Sequence, residues 1–292
     1  GEASIAASET EDKDWINNWK QYFKQFYVDD LLIIPSWEEI KPEDQGRPVI
    51  HIDPGTAFGT GMHETTQLCI RQLKKYVKPG DEILDVGCGS GILSVAAHML
   101  GAEDVTAVDI DPNAVRIAAE NARAERVNVP FVCQDMRRLA LHRPADAVLA
   151  VCDGVNYLTL KGAEGFFANA YAALREGGML LFDISSRYKL STILGNNTFA
   201  EDESAAAYIW KNAYDEQTKQ IQMELTLFEK QADGRYVRFN ESQIQRAHSQ
   251  REMEGALKRA GFERIEAFDA FTFDAPNEKS ERIQFRAIKP ND

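Results

Sequence analysis

Three glycines and three acids, placed where apolar runs end, are the positions at which this chain could do chemistry. Ile83-Leu84-Asp85-Val86-Gly87-Cys88-Gly89-Ser90-Gly91 is an apolar run that passes into a glycine-rich turn. Glycines there let a polar ligand approach backbone N–H groups at the carboxyl end of a strand. Asp109 closes the next apolar run and Asp135 the one after it. A carboxylate at Asp109 can accept hydrogen bonds from both hydroxyls of a ribose, so the chemistry is the binding of an adenosine-bearing cofactor. A dinucleotide fingerprint would need a third glycine at position 92, where Ile92 stands. Asp109 alone leaves a nicotinamide cofactor open; Ile92 and the acid at Asp85 weaken it.

The elements around these residues alternate. Glu82 to Val86 reads as a strand, Gly91 to Leu100 as a helix stopped by Gly101, and Asp104 to Asp109 as a strand. Asp111-Pro112 supplies the N-cap and first residue of a helix running through Ala122. Val129 to Cys133, Ala147 to Cys152 and Gly178 to Ile184 read as further strands, with a helix around Phe166 to Leu174. Strands apolar on both faces predict a parallel sheet covered by helices. Between residues 205 and 247 the period becomes 2, clearest at Ile221, Met223, Leu225 and Leu227, with turn signals at Asp215-Glu216 and Asp233-Gly234. This is an antiparallel insertion at about 190–247, because Ser249 and Glu252 then form a capping box, a helix runs to Gly261, and strands follow at Arg264 to Phe268 and Ile283 to Ile288.

At the other end, residues 1–14 read as a disordered acidic tail. Residues 15–50 read as an extension: Trp15, Trp19, Tyr22, Phe23 and Phe26 share one helix face, and Leu31 to Ile34 is a strand closed by Pro35. The remainder, residues 51–292, reads as the main domain that holds the glycine turn.

The G-x-G-x-G turn, with its acid two residues earlier, resembles the S-adenosylmethionine-binding turn of class I methyltransferases. That family implies a Rossmann-like α/β fold: a mostly parallel seven-stranded sheet with helices on both faces, here with the β insertion after strand five. It also implies that Asp135 accepts from the adenine amino group and that Met136 offers an amide and an apolar wall. Upstream, Asp53-Pro54-Gly55-Thr56-Ala57-Phe58-Gly59-Thr60-Gly61-Met62-His63-Glu64-Thr65-Thr66, with Trp15 to Trp37 and the stretch to about Ala122, closely resembles the ribosomal protein L11 methyltransferase family. The resemblance implies a loop that closes over the cofactor, with Thr66 binding it and Phe58 and Thr60 lining the pocket; His63 reads as ordering the loop, with a base as the alternative. Asp85, Gly87, Cys88, Gly89, Asp109, Ile110 and Cys152 complete the expected cofactor set.

Two features depart from the L11 enzymes. Their N-terminal substrate domain is replaced by the short acidic tail, and their N-I-L element gives way to Val151-Cys152-Asp153-Gly154-Val155-Asn156-Tyr157-Leu158. From about residue 125 the chain is similar instead to small class I methyltransferases with a C-D-x-x-N-Y-L element, among them amino-sugar N-methyltransferases. The expectation is a recombined, engineered chain joined within the helix spanning residues 112 to 127.

Asp153, Asn156 and Tyr157 are the candidate catalytic residues on the acceptor side, with Tyr208, Trp210 and Tyr214 as lid aromatics. The expected reaction moves a methyl group from S-adenosylmethionine to a small molecule, such as an amine, or to a protein side chain, releasing S-adenosylhomocysteine. The alternatives are cofactor binding without turnover and, behind it, an NAD-dependent oxidoreductase. With 33 Lys+Arg against 46 Asp+Glu, the chain carries a net charge of −13, which disfavours a nucleic-acid substrate. No apolar run is long enough to span a membrane, and no signal-peptide pattern opens the chain, so the expected location is cytoplasmic. The four cysteines show no metal-site spacing; they read as buried thiols, three of them in strand-like runs. The expected assembly is a monomer, or a homodimer through the β insertion.

Overall fold

The structure, a computed structural model, describes residues 24–53, 64–139, 141, 143–202, 206–231, 233–270 and 272–291. The acidic stretch 1–14, the aromatic residues from Trp15 to Phe23, and the loop positions Phe58, Thr60 and His63 lie outside the described residues.

Three short strands come first. Strands β1 (Phe26–Val28), β2 (Leu31–Pro35) and β3 (Val49–Ile52) form a small sheet, with β1 antiparallel and β3 parallel to β2. Asp29 and Asp30, in the turn after β1, pair with Arg71 and Lys74 of helix α1 (Glu64–Tyr76) and dock this sheet on the main body. Sequence patterning exposes only β2, since β1 and β3 have three and four residues, too few for an alternation to register. Phe26 opens β1 instead of extending the aromatic helix face.

The alternating region follows as β4 (Glu82–Val86), α2 (Ile92–Met99), β5 (Asp104–Asp109), α3 (Pro112–Ala124), β6 (Phe131–Cys133), β7 (Ala145–Ala150), α4 (Leu160–Ala173) and β8 (Leu174–Ser185). Strands β4 to β8 are parallel, in the spatial order β6-β5-β4-β7-β8. The order reverses at β4, with β5 on one side and β7 on the other. The carboxyl ends therefore open a crevice there. Along the strands, successive residues feed opposite layers. Ile83, Val105, Ala107 and Leu149 pack with Ile70, Leu73, Val95 and Ala118 of α1, α2 and α3. Leu84, Val108, Val148 and Phe182 join the other layer, which holds Phe166 and Phe167 of α4.

The insertion is a four-stranded antiparallel sheet of β9 (Thr198–Asp202), β10 (Ala206–Asp215), β11 (Gln220–Lys230) and β12 (Tyr236–Arg246), in the order β12-β11-β10-β9. The last three strands and both turns match the period-2 reading; β9, T-F-A-E-D, has no clean alternation to announce it. Ile221 and Met223 bury against Leu190, Leu194 and Ala247, which attaches this sheet to the main body. Helix α5 (Gln250–Ala260) carries the capping box in full, with Ser249 and Glu252 satisfying each other's backbone, and stops at left-handed Gly261. Strands β13 (Glu263–Asp269) and β14 (Arg282–Ile288) complete the seven-stranded order β13-β14-β8-β7-β4-β5-β6, with β14 antiparallel to both neighbours.

The cysteines correct their expected placement. Only Cys133 lies in a strand, and it is exposed; Cys69 is buried in α1, Cys88 is buried in the glycine turn, and Cys152 is half-buried beyond the end of β7. Gly91 opens α2 at φ +80°, and a Cβ there would fall 2.9 Å from the Cβ of Ala118 in α3. Gly91→Ala is therefore expected to cost about 2–4 kcal/mol, from a left-handed alanine and an overpacked helix contact. Urea unfolding should show a lower midpoint at unchanged slope; an unchanged midpoint would contradict this close approach.

Candidate active site

Strand β4 delivers the chain into the glycine turn, whose first two N–H groups, on Gly87 and Cys88, both donate to the Val108 carbonyl of β5 at 2.8 and 3.1 Å. Gly87, Gly89 and Gly91 all take left-handed φ values, and open space lies where a Cβ on Gly87 would stand. At the end of β5, Asp109 accepts from Gly89 N through Oδ2 and from Asp111 N through Oδ1, each at 2.9 Å. Two backbone bonds hold this carboxylate still, and it keeps lone pairs for two further donors. Ile110, 65% exposed, stands beside it as an apolar surface. Fixed acceptor, apolar surface and glycine turn fit the ribose and adenine of S-adenosylmethionine.

Beneath the turn, Asp85 is buried and accepts from Ser94 Oγ at 2.6 Å. Burial pushes its carboxyl up to about 6, with the nearby Asp109 charge acting in the same direction and the Ser94 bond opposing it. Burial likewise raises the Cys88 thiol, which makes it a packing group rather than a nucleophile.

Asn121 is a positioning residue that the sequence reading missed. Its Nδ2 donates to the Ser90 carbonyl at 2.9 Å and to the Asp53 carbonyl at 3.0 Å, while its Oδ1 accepts from Asp53 N at 3.0 Å. It thereby ties the chain entering residues 54–63 to the glycine turn. The available signal was an amide inside the apolar stripe Ala114, Ile117, Ala118, Ala122 of α3. Thr66 is buried in the first turn of α1. Asp135 caps the short turn Met136–Arg138 and pairs with Arg137, whose hydrogen bonds hold its carboxyl below the ordinary range. The Met136 methyl faces Gly154, bringing the end of β6 against the segment after β7.

That segment is held by buried charge. Cys152 and Asp153 both adopt left-handed φ, 63° and 52°, which non-glycine residues rarely accept. Asp183 of β8 receives both their N–H groups, Cys152 N on Oδ1 at 2.6 Å and Asp153 N on Oδ2 at 3.1 Å. Arg282 of β14 pairs with Asp183 and donates to Asp153 Oδ1 at 3.0 Å; Gln245 of β12 donates to Asp153 Oδ2 at 2.9 Å. A charged residue inside the apolar run Leu-Leu-Phe-Asp-Ile-Ser was the overlooked signal for Asp183; Arg282, in Ser-Glu-Arg-Ile-Gln, carried none.

Among the three expected catalytic residues, the structure separates the roles. Asn156 is fully buried; its Nδ2 donates to the Ser185 and Arg246 carbonyls and its Oδ1 accepts from Ser185 N. It staples β8 to β12 from a buried position. Asp153 is clamped by Arg282 and Gln245 and holds the turn in place. Tyr157, 51% exposed, presents its ring to solvent and donates its hydroxyl to Gln243 Oε1 at 2.7 Å.

A family model described as ribosomal protein L11 methyltransferase (PrmA) matches residues 1–181. The chain belongs to the ribosomal protein L11 methyltransferase family. A family member from Lachnospira eligens is 59% identical over 128 residues, 44% of this chain and 40% of its own length. One from Geobacillus kaustophilus is 39% identical over 183 residues, 62% of this chain and 57% of its length. The chain thus spans about 40% of the length of the first of these L11 methyltransferase relatives. An S-adenosylmethionine-dependent methyltransferase from Clostridium acetobutylicum superposes with a TM-score of 0.70 at 27% identity, covering 76% of this chain and 89% of that one. The L11 methyltransferase match runs past α3, the helix in which the sequence reading placed a join, and no comparison shows a join.

The buried acid makes a pH prediction. The Asp85 carboxyl titrates near 6 folded and near 3.8 unfolded, so the folded protein binds the extra proton between these values and loses stability as pH rises through them. In the cofactor-free protein, Asp85→Asn is expected to be more stable than wild type above pH 6, by about 3 kcal/mol at most. The gain should fade toward pH 4. Thermal melts across pH 4–8 check this, and a gain independent of pH would refute the assignment.

Proposed function

We propose that this chain is an S-adenosylmethionine-dependent methyltransferase acting on an amine nitrogen. The observation that carries the cofactor assignment is Asp109, fixed by Gly89 N and Asp111 N at the mouth of the β4–β5 crevice with capacity for two ribose hydroxyls. Phe58, Thr60 and Thr66 would cover the cofactor from the loop side, and Ile110, Asp135 and Met136 would hold the adenine end. The bound cofactor supplies an electrophilic methyl group on a sulfonium sulfur.

What remains for the protein is alignment and exclusion of water, because in-line displacement demands a near-attack geometry more than a strong base. The segment 152–157 sits at the carboxyl end of β7 beside the crevice, and the clamp of Asp183 and Arg282 keeps its backbone in one conformation. Tyr157 is the member of this segment able to touch an acceptor. The nitrogen attacks as the neutral amine and sheds its remaining proton to solvent. A side-chain amine of a protein is the acceptor favoured by the family's name. A small-molecule amine is the second reading, favoured by the narrow approach between Tyr157 and β12.

Calorimetry should show binding of S-adenosylmethionine and S-adenosylhomocysteine but not NAD. Asp109→Ala should weaken S-adenosylhomocysteine binding more than tenfold, since a charge-assisted contact to the ribose is lost. Unchanged affinity in the folded variant would overturn the cofactor site. Release of S-adenosylhomocysteine over a panel of amines, small acids and ribosomal proteins then reads turnover. Binding without release on any of them would leave a cofactor-binding protein and refute the enzymatic reading.

A further inference from the structure

One face of the insertion sheet forms a cavity that the cofactor does not use. Strand register sets Tyr208 opposite Leu227 and Trp210 opposite Leu225 between β10 and β11, and Glu241 opposite Leu225 and Gln243 opposite Met223 between β11 and β12. These residues share one side of the sheet and line a cavity of about 330 Å³, within the size range of small-molecule sites. Its walls are aromatic and aliphatic, and among its lining residues Glu241 carries the formal charge. Two interstrand steps put the backbones of Trp210 and Glu241 roughly 10 Å apart, with Leu225 between them on the same face.

The polarity of the cavity's inner end follows from a hydrogen-bonded line. Tyr157 donates its hydroxyl to Gln243 Oε1, and Gln243 Nε2 donates to Glu241. An ionised carboxylate only accepts, so Glu241 fixes the amide of Gln243 with nitrogen toward itself and oxygen toward Tyr157. The phenol proton is then committed to Gln243, which leaves the phenol oxygen as an acceptor. Both the charge at the rim and the oxygen nearest the 152–157 segment therefore call for a hydrogen-bond donor. The aromatic walls add an attraction for a cation that they would not offer an anion.

We propose that this cavity selects the methyl acceptor by binding its resting, protonated form: a compact organic ammonium carried on an apolar or saccharide ring, which gives up one proton to solvent before its neutral nitrogen attacks. The ring lies against Trp210 and Leu225, and the ammonium meets Glu241. Glu241 binds the ligand, and Gln243 is a positioning residue that sets which way Tyr157 points its proton. The inference rests on the methyl-transfer reading for its biological role, although the cavity's preference for cations is testable without turnover.

Calorimetry on the full chain, with benzylamine, cyclohexylamine and glucosamine each set against benzyl alcohol, cyclohexanol and glucose, tests it. At least one amine is expected to bind fivefold or more tighter than its neutral counterpart. Glu241→Gln should erase that preference, and Gln243→Met should weaken the amine about threefold while S-adenosylhomocysteine binds as in wild type. The proposal is overturned if no amine binds, if amine and neutral counterpart bind alike, if Glu241→Gln keeps the preference, or if binding is confined to a lysine-bearing peptide. The S-adenosylhomocysteine titration separates the two failures: its loss in the wild type would sink the methyl-transfer reading while the amine preference stood or fell on its own.

Discussion

A carboxylate that accepts two backbone N–H groups holds each half of this site. Asp109, at the end of β5, receives Gly89 N from the neighbouring turn and Asp111 N from the start of its own helix. Asp183, on β8, receives Cys152 N and Asp153 N from the turn beyond its neighbour β7. Parallel strands end without a hairpin to define their exits, so the segments at their carboxyl ends need such straps to keep one conformation. Charge-assisted bonds to backbone are short and directional enough to do this, and each strap joins two adjacent strands. The crevice between them is as rigid as these two acids make it.

The two straps differ in what they leave available. Asp109 lies at the surface of the crevice and retains acceptor capacity, which suits it to a ligand's hydroxyls. Asp183 is fully buried, and burial raises its carboxyl despite the Arg282 guanidinium against it. Its partner Arg282 spends its second arm on Asp153. The acceptor side is thereby built around a satisfied ionic network that stabilises two left-handed residues, and the reactive surface shifts outward to Tyr157 and β12. Removing one partner of such a buried set leaves an uncompensated charge, which costs far more than the network's net contribution.

The insertion sheet adds surface that the seven-stranded core lacks. Its inner positions, Ile221 and Met223, are buried with Leu190 and Leu194, while Trp210, Leu225 and Glu241 continue the same face outward as a cavity. Asn156 and Gln245 bind the end of β12 to the segment after β7. In a chain of this net charge, a single acid framed by aromatic residues distinguishes cations by local geometry, not by the overall field.

The local order of the chain was legible in residue types. The boundaries of β4 and β5, the Asp111 cap, the Ser249 capping box and the turns of the insertion all follow from short-range chemistry: apolar runs, capping side chains and glycines able to take positive φ. The glycine turn and Asp109 belong with them, because a strand followed by glycines and a strand ended by an acid specify their geometry within a few residues. What the residues could not show locally was contact across the sheet. Asn121, Asp183 and Arg282 act on partners 30 to 129 positions away; the bonds between Asp183 and Arg282 exist only once β14 lies beside β8, and those of Asn121 only once α3 packs beside the glycine turn. The sequence by itself determined the elements and the cofactor turn. Tertiary structure alone decided that Asn156 is a staple, Asp153 a clamped side chain and Tyr157 the exposed group, because burial and hydrogen-bond partnership are properties of the assembled strands.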